Sequence, residues 1–190
     1  MKKVIVKSQL ENPYALVKKL EDIGFEFEPA VWQHERIYLP HNFQPHMNFP
    51  RLVMRTEVLE TNQPAQYSLY LKRHIEDSGV DYVNFTGVND YTEATGIVHQ
   101  LGFRKVAEMS RQRRILQLDA QTVIYWDTVE GIETPFIKIE ADIAEGISVE
   151  ATRKELYRSL RLFGLETFLV QTYAEILVGN QVQPYYLPEE

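Results

Sequence analysis

Nine basic side chains recur on the polar faces of short alternating segments. Lys3 and Lys7 flank Ile5 in KVIVK, Arg36 opens RIYL, and Arg51 and Arg55 bracket RLVMR. Lys72 ends LYLK, Arg111 and Arg113 lie in MSRQRR, and Lys138 sits in FIKIE. The carboxylates read onto the same faces are Asp127 and Glu140. Nine bases against two acids leave a surplus of about seven positive charges there. The whole chain carries −7, so everything else sums to about −14. Such faces point either to bulk water, the ordinary place for lysine and arginine, or into a shared concavity. In a concavity nine cations repel one another and lose hydration unless counter-charges are present. Two carboxylates are too few, and a bound polyanion would serve. Arginine offers a planar fork to phosphate oxygens and lysine a point charge.

The elements that must position these residues are mostly strands. KVIVK, QHERIYLP, RLVMRTEVLE, QYSLYLKRH, VDYVNFTGV, KVAEMSRQRRILQL, TVIYWDTVEG and TPFIKIEADI read as about eight strands, separated by turn signals such as TNQP and DAQ. The polar face of VDYVNFTGV reads as Tyr82, Asn84 and Thr86. A helix is expected over NPYALVKKLEDIGFE, with Asn12 as its cap, Pro13 at its first position and Gly24 at its end. Further helices are expected over TEATGIVHQLGF, SVEATRKELYRSLRLFGL and TFLVQTYAEILVGN. This is an α+β pattern: an antiparallel barrel or strongly curved sheet with flanking helices. Residues 1–179 form one domain and QVQPYYLPEE, 180–190, a tail that is either disordered or a partner-binding end.

Composition narrows the function classes. The chain has 190 residues, 44% hydrophobic and 12% aromatic, enough for one well-filled core. With a pI near 5.3, a general nucleic-acid or anionic-membrane binder is disfavoured. The absence of cysteine excludes disulfides, zinc ribbons and thiol catalysis. No apolar run is long enough to span a bilayer and no signal-peptide core is visible, so a soluble, cytoplasmic protein is expected. The histidines His34, His41, His46, His74 and His99 show no metal-ligand spacing. Trp32 and Trp126 read as core, although a tryptophan beside Asp127 could stack on a base. Tyr173 is expected to pack the last helix on the barrel.

The order of motifs resembles the CYTH superfamily: class IV adenylate cyclases, thiamine triphosphatases and related triphosphate tunnel metalloenzymes. KVIVK stands where that family has ExExK, RLVMR at its R-x-R strand and LYLK at its L-T-Y-K strand. MSRQRR falls at its K-x-R strand, WDTVEGI at its D-x-V-x-G-L hairpin, FIKIE at F-x-E-I-E and TYAEIL at its terminal S-Y-x-x-L-L. The resemblance implies an eight-stranded antiparallel tunnel in which bases bind a triphosphate and acids hold divalent metal. Carried over by position, the phosphate-binding bases would be Lys7, Arg55, Lys72 and Arg111, with Arg113 as an addition. Lys3, Arg36, Arg51 and Lys138 extend the basic face. The family's metal-binding glutamates are replaced by Lys3, Ile5 and Lys138, leaving Glu140 and Asp127, while Val53 and Met109 replace family bases. Glu140 and Asp127 could hold one Mg2+ or Mn2+ riding on the phosphates.

The expectation is therefore a tunnel that binds a triphosphate compound or inorganic polyphosphate with a degraded metal site. One rival is an active Mg2+- or Mn2+-dependent triphosphatase or cyclase, drawing also on Glu57 or Glu133. Another is a scaffold whose basic concavity takes an acidic or phosphorylated partner. No motif specifies the organic part of the ligand, and oligomeric state is left open.

Overall fold

Alternation with a period of two commits each strand to two unlike faces, and closure of the sheet turns one of them inward. In the computed structural model, which describes residues 2–42, 50–59, 64–75, 80–144, 146–179 and 185–186, eight antiparallel strands close into a barrel. In chain order they are β1 (Lys2–Gln9), β2 (Val31–Pro40), β3 (Arg51–Leu59), β4 (Gln66–Ile75), β5 (Val80–Val88), β6 (Phe103–Gln117), β7 (Thr122–Val129) and β8 (Phe136–Asp142). Around the barrel the order is β1, β5, β4, β3, β2, β6, β7, β8, so β1 lies across the lumen from β2.

The helices are α1 (Pro13–Asp22), α2 (Tyr91–Gln100), α3 (Val149–Leu162) and α4 (Tyr173–Gly179). Each of the first three starts on a side-chain cap. Asn12 accepts from the Ala15 amide at 3.1 Å, Asp90 from Glu93 at 2.8 Å and Ser148 from Ala151 at 3.3 Å. Such caps satisfy amides that have no partner within the helix. After α1 the chain turns at Gly24, whose φ of +87° is left-handed and suits glycine.

The apolar core lies outside the barrel. Val4, Val6, Ile124, Ile137 and Ile139 point outward and are buried with Leu16 and Leu20 of α1 and Leu156 and Leu160 of α3. Each such side chain contributes about 1.5–3 kcal/mol. On the far side Tyr38 and Met54 pack against Val98 of α2. With the apolar faces covered in this way, the polar faces are left to fill the lumen.

The last forty residues differ from expectation in two places. The helix expected from Thr167 starts only at Tyr173, because Thr167–Phe168 form a short strand, β9. β9 pairs with β10, Tyr185–Tyr186, so the tail is tied to the domain at those two residues. Beyond β9, the Leu169 amide donates to the Lys7 carbonyl at 2.7 Å, laying this segment along the edge of β1. No helix among the described residues is long and apolar enough to cross a membrane.

Candidate functional site

Cross-strand partners in an antiparallel ladder share a face, so the register identifies the lumen. Lys7 lies opposite Lys138, Glu35 opposite Arg55, Arg51 opposite Lys72 and Arg113 opposite Asp127. Eight of the nine expected bases are thus gathered on the inner face. The exception is Arg36: it pairs with Met54 on the outer face, lies over the Tyr91 ring and meets Glu108 at 3.6 Å. β5 is also reversed relative to the reading above. Asp81 lies opposite Lys3, Val83 opposite Lys72 and Phe85 opposite Tyr70, so these three face inward and Tyr82, Asn84 and Thr86 outward. Trp32, expected in the core, is half exposed on the outside of β2. His46 lies outside the described residues.

The lumen is far less unbalanced than nine bases against two acids. Besides Asp127 and Glu140 it contains Glu35, Glu57, Asp81 and, at the rim, Asp142. Among the described residues eight bases therefore face six carboxylates. The one sequence signal for Glu35 was its alternation with Gln33 and Ile37, and the neighbouring face, His34, Arg36 and Tyr38, is equally mixed. Glu133, by contrast, is exposed in a turn.

On the β2, β3 and β6 wall the charges are locked together. The buried Glu35 Oε1 accepts from Arg55 Nε at 2.7 Å and from an Arg111 terminal nitrogen at 2.7 Å. Arg111 Nε also donates to Gln33 Oε1 at 2.8 Å, and Gln33 donates to Glu57 at 2.6 Å. Arg55 completes its set with the Tyr70 hydroxyl at 3.0 Å and Glu57 at 3.4 Å. Burial alone would raise the Glu35 pKa, but Arg111, Lys72 and Arg55 reverse that and hold it well below the usual carboxylate range. Further round, Arg113 grips both Asp127 oxygens at 2.6 Å, and the Tyr173 hydroxyl donates to Asp127 at 2.8 Å. Burial opposes ionisation of Asp127, yet Arg113 brings its pKa down to about 2. Glu140 is held between Lys138 and Lys3, the latter at 3.2 Å, with the Tyr125 hydroxyl at 3.3 Å.

The other end of the lumen is open in charge. Lys7 makes no ion pair among the described residues; its ammonium donates to the Gln171 carbonyl and lies 4.6 Å from the centre of the Tyr173 ring. Lys72 reaches Glu35 only at 3.9 Å, and Arg51 has no ion pair among the described residues. Loss of hydration, with Lys138 nearby, lowers the Lys7 pKa to about 7; loss of hydration and the neighbouring arginines lower Lys72 to about 7 as well. Lys7, Arg51, Lys72, Lys138 and Arg111 all line one cavity of about 500 Å³. Glu35 and Asp81 line it too, and Lys138 and Arg111 are paired with Glu140 and Glu35, so Lys7, Arg51 and Lys72 are the lining cations without a close counter-charge among the described residues.

Barrel and lumen together define an antiparallel tunnel with a charged interior. The chain belongs to the CYTH family: the CYTH domain pattern matches residues 1–173. This is a family of tunnels that take triphosphate substrates and work with a divalent metal. None of the curated proteins matches the chain in sequence. Similar solved structures include a Pyrococcus horikoshii OT3 protein, 21% identical with a TM-score of 0.81 over 94% of this chain and 99% of that one. A candidate adenylate cyclase from Vibrio parahaemolyticus is 16% identical with a TM-score of 0.75, over 93% and 97% of the two chains. A candidate adenylyl cyclase from Hippeastrum, described as having a dominant triphosphatase activity, is 15% identical with a TM-score of 0.63 over 96% and 98%. At these identities the likeness is one of fold.

The two carboxylates expected to hold a divalent ion do not fit one with the partners they have here. A hard cation needs free carboxylate oxygens. Glu140 is already held by two ammonium groups and Asp127 by a guanidinium and a phenol. Among the described residues no three acidic, histidine or cysteine side chains gather in a way that could hold a metal. Ile5, facing the lumen opposite Glu140, offers no ligand atom.

Proposed function

We propose that this tunnel binds a triphosphate- or polyphosphate-bearing small molecule, and that it does so without a resident catalytic metal. Lys7, Arg51 and Lys72 are the residues that meet the phosphates first, with Lys138, paired with Glu140, and Arg111, paired with Glu35, behind them. Arg55 and Arg113 hold the wall, since their donors are taken by Glu35 and Asp127. The observation that carries this reading is Lys7, Arg51 and Lys72, which have no close carboxylate partner among the described residues, gathered around one partly open cavity. Their lost hydration is recovered when phosphate oxygens replace water. Lys3 and Lys138, standing where the resemblance places metal-binding carboxylates, supply part of the charge compensation that a metal would give.

The test is a calorimetric titration with tripolyphosphate, ATP and thiamine triphosphate, with and without EDTA. Binding that persists in the chelator is expected, with inorganic monophosphate far weaker. Equal affinity for monophosphate and tripolyphosphate would reduce the site to a generic basic surface. A second reading, a metal-dependent triphosphatase or cyclase, is favoured by family membership. It requires Glu140 or Asp127 to exchange its present partners for an ion on the incoming phosphates. Product release that needs Mg2+ or Mn2+ and disappears in Glu140→Gln would put that reading first.

A further inference from the structure

The cavity is not basic throughout. Ile37 and Val53 are cross-strand partners on its wall and Met109 is the partner of Glu35, while Ile5 faces them from β1 across the lumen. The cavity also leaves the barrel. β1 pairs with β5 only from Lys2 to Val4, and beyond that point the lining passes to Val6 on the outer face of β1. It continues along Tyr157 of α3 and Phe168, Leu169 and Val170 of the C-terminal segment. Tyr157 and Phe168 rest on each other with ring centres 5.0 Å apart, and Val170 is half exposed at the outer end. Several polar groups on this side are committed. Thr172 and Glu175 satisfy each other's amides at 2.6 and 3.3 Å, the Gln171 carbonyl accepts from Lys7, and Arg153 is paired with Glu150 at 3.1 Å.

A ligand made only of phosphate would fill the basic end and leave the apolar passage unused. Along the stretch lined by Ile37, Val53, Met109, Phe168, Leu169 and Val170 a ribose or a purine would place hydroxyls and ring nitrogens against side chains that offer no partners, at a cost in lost hydration. An apolar organic group loses nothing there and leaves water. The space, about 500 Å³, falls within the range of roughly 300–1,000 Å³ for small-molecule sites. We infer that the ligand is an amphiphilic organophosphate: a terminal di- or triphosphate held by Lys7, Arg51 and Lys72, carrying an apolar chain that leaves between β1 and the C-terminal segment. This inference rests on the phosphate-binding reading above and names the chemical class of its ligand.

Calorimetry with pyrophosphate, tripolyphosphate, geranyl diphosphate and geraniol separates the two. Geranyl diphosphate should bind at least about tenfold more tightly than pyrophosphate, since burial of two methylene groups suffices for that factor. Val170→Asp, at a half-exposed position, should remove most of this preference and leave pyrophosphate binding and the melting temperature unchanged. Lys7→Ala should weaken both diphosphates alike. If pyrophosphate and tripolyphosphate bind but the chain adds nothing, or if the preference survives in Val170→Asp, the inference is overturned and the phosphate reading stands. If geraniol binds as tightly as geranyl diphosphate, or if no phosphate compound binds, both fall.

Discussion

Glu35 and Lys7 face the same lumen from opposite walls, yet they stand in opposite electrostatic positions. Glu35 has two guanidinium groups within 2.7 Å, and its neighbours are satisfied in turn by Gln33, Glu57 and Tyr70. Lys7 has a carbonyl, an aromatic face and another lysine across the ladder. A buried charge with its full complement of partners belongs to the structure, because removing one partner strands the rest. A buried charge short of partners is costly in the empty protein and becomes favourable only when a counter-ion arrives. The difference separates bases that build the tunnel from bases that wait for its contents.

The largest expected effect comes from breaking the locked wall. Glu35→Gln leaves Arg55 and Arg111 buried without their carboxylate and should cost about 3–5 kcal/mol. At about 2–4 °C per kcal/mol for a domain of this size, the melting temperature falls by roughly 6–20 °C. Tripolyphosphate affinity should hold or increase, since two arginines are released. Denaturant unfolding paired with a binding titration checks both halves; wild-type stability in Glu35→Gln would erase the distinction between the walls.

Next come the open cations. Lys7→Ala and Lys72→Ala should each weaken tripolyphosphate binding by about 2–5 kcal/mol, the range for truncating one member of a buried charge pair. Neither should lower the stability of the empty protein, because each removes a poorly hydrated charge. Arg36→Ala, on the outer face, is the control that should leave affinity as it was. Affinity that survives both lysine changes would place the ligand elsewhere.

A further effect is expected with pH. The folded, empty protein holds Lys7 and Lys72 at pKa values of about 7, against 10.5 unfolded. From pH 7 to 10.5 the unfolded chain therefore binds more protons, and stability should rise with pH across that window. The contribution is lost progressively as pH falls from 10.5 and is gone below about 7, where both ammonium groups are charged inside the barrel as well. Phosphates favour the charged lysines, so binding should take up protons in the same window and affinity should fall from pH 7 to 9. Calorimetry in buffers of different ionisation enthalpy measures the uptake; proton release would contradict it.

The smallest effect concerns metal. Excess EDTA should leave tripolyphosphate affinity nearly unchanged, and Mg2+ or Mn2+ should add little. Ile5→Glu combined with Lys138→Glu should make binding more metal-dependent, as two carboxylates beside Glu140 would create a site for a hard cation. Binding to the wild-type protein that collapses in EDTA would show that Glu140 or Asp127 gives up its present partners.

The eight strands and three of the helix starts were legible because each rests on a local cause: alternation, a capping side chain, a proline at the first turn. Lys3, Lys7, Arg51, Arg55, Lys72, Arg111, Arg113 and Lys138 could be gathered for the same reason, since their strands have one apolar face and one polar face. QHERIYL and VDYVNFTGV lack that contrast, so both of their faces were equally plausible as the inner one. Only the ladders decided: Arg55 opposite Glu35 and Lys72 opposite Val83 turn Arg36 and Asn84 outward and bring Glu35 and Asp81 in. Charge balance in the lumen depends on those carboxylates, and it arises between residues as far apart in sequence as Lys3 and Asp142. The passage beside β1 is likewise invisible in the sequence. It exists because β5 pairs with only three residues of β1, and Leu169, arriving from the far end of the chain, takes the edge that remains. Alternation is a property of neighbouring residues, whereas which faces meet, and which charges they leave unmatched, is settled by barrel closure.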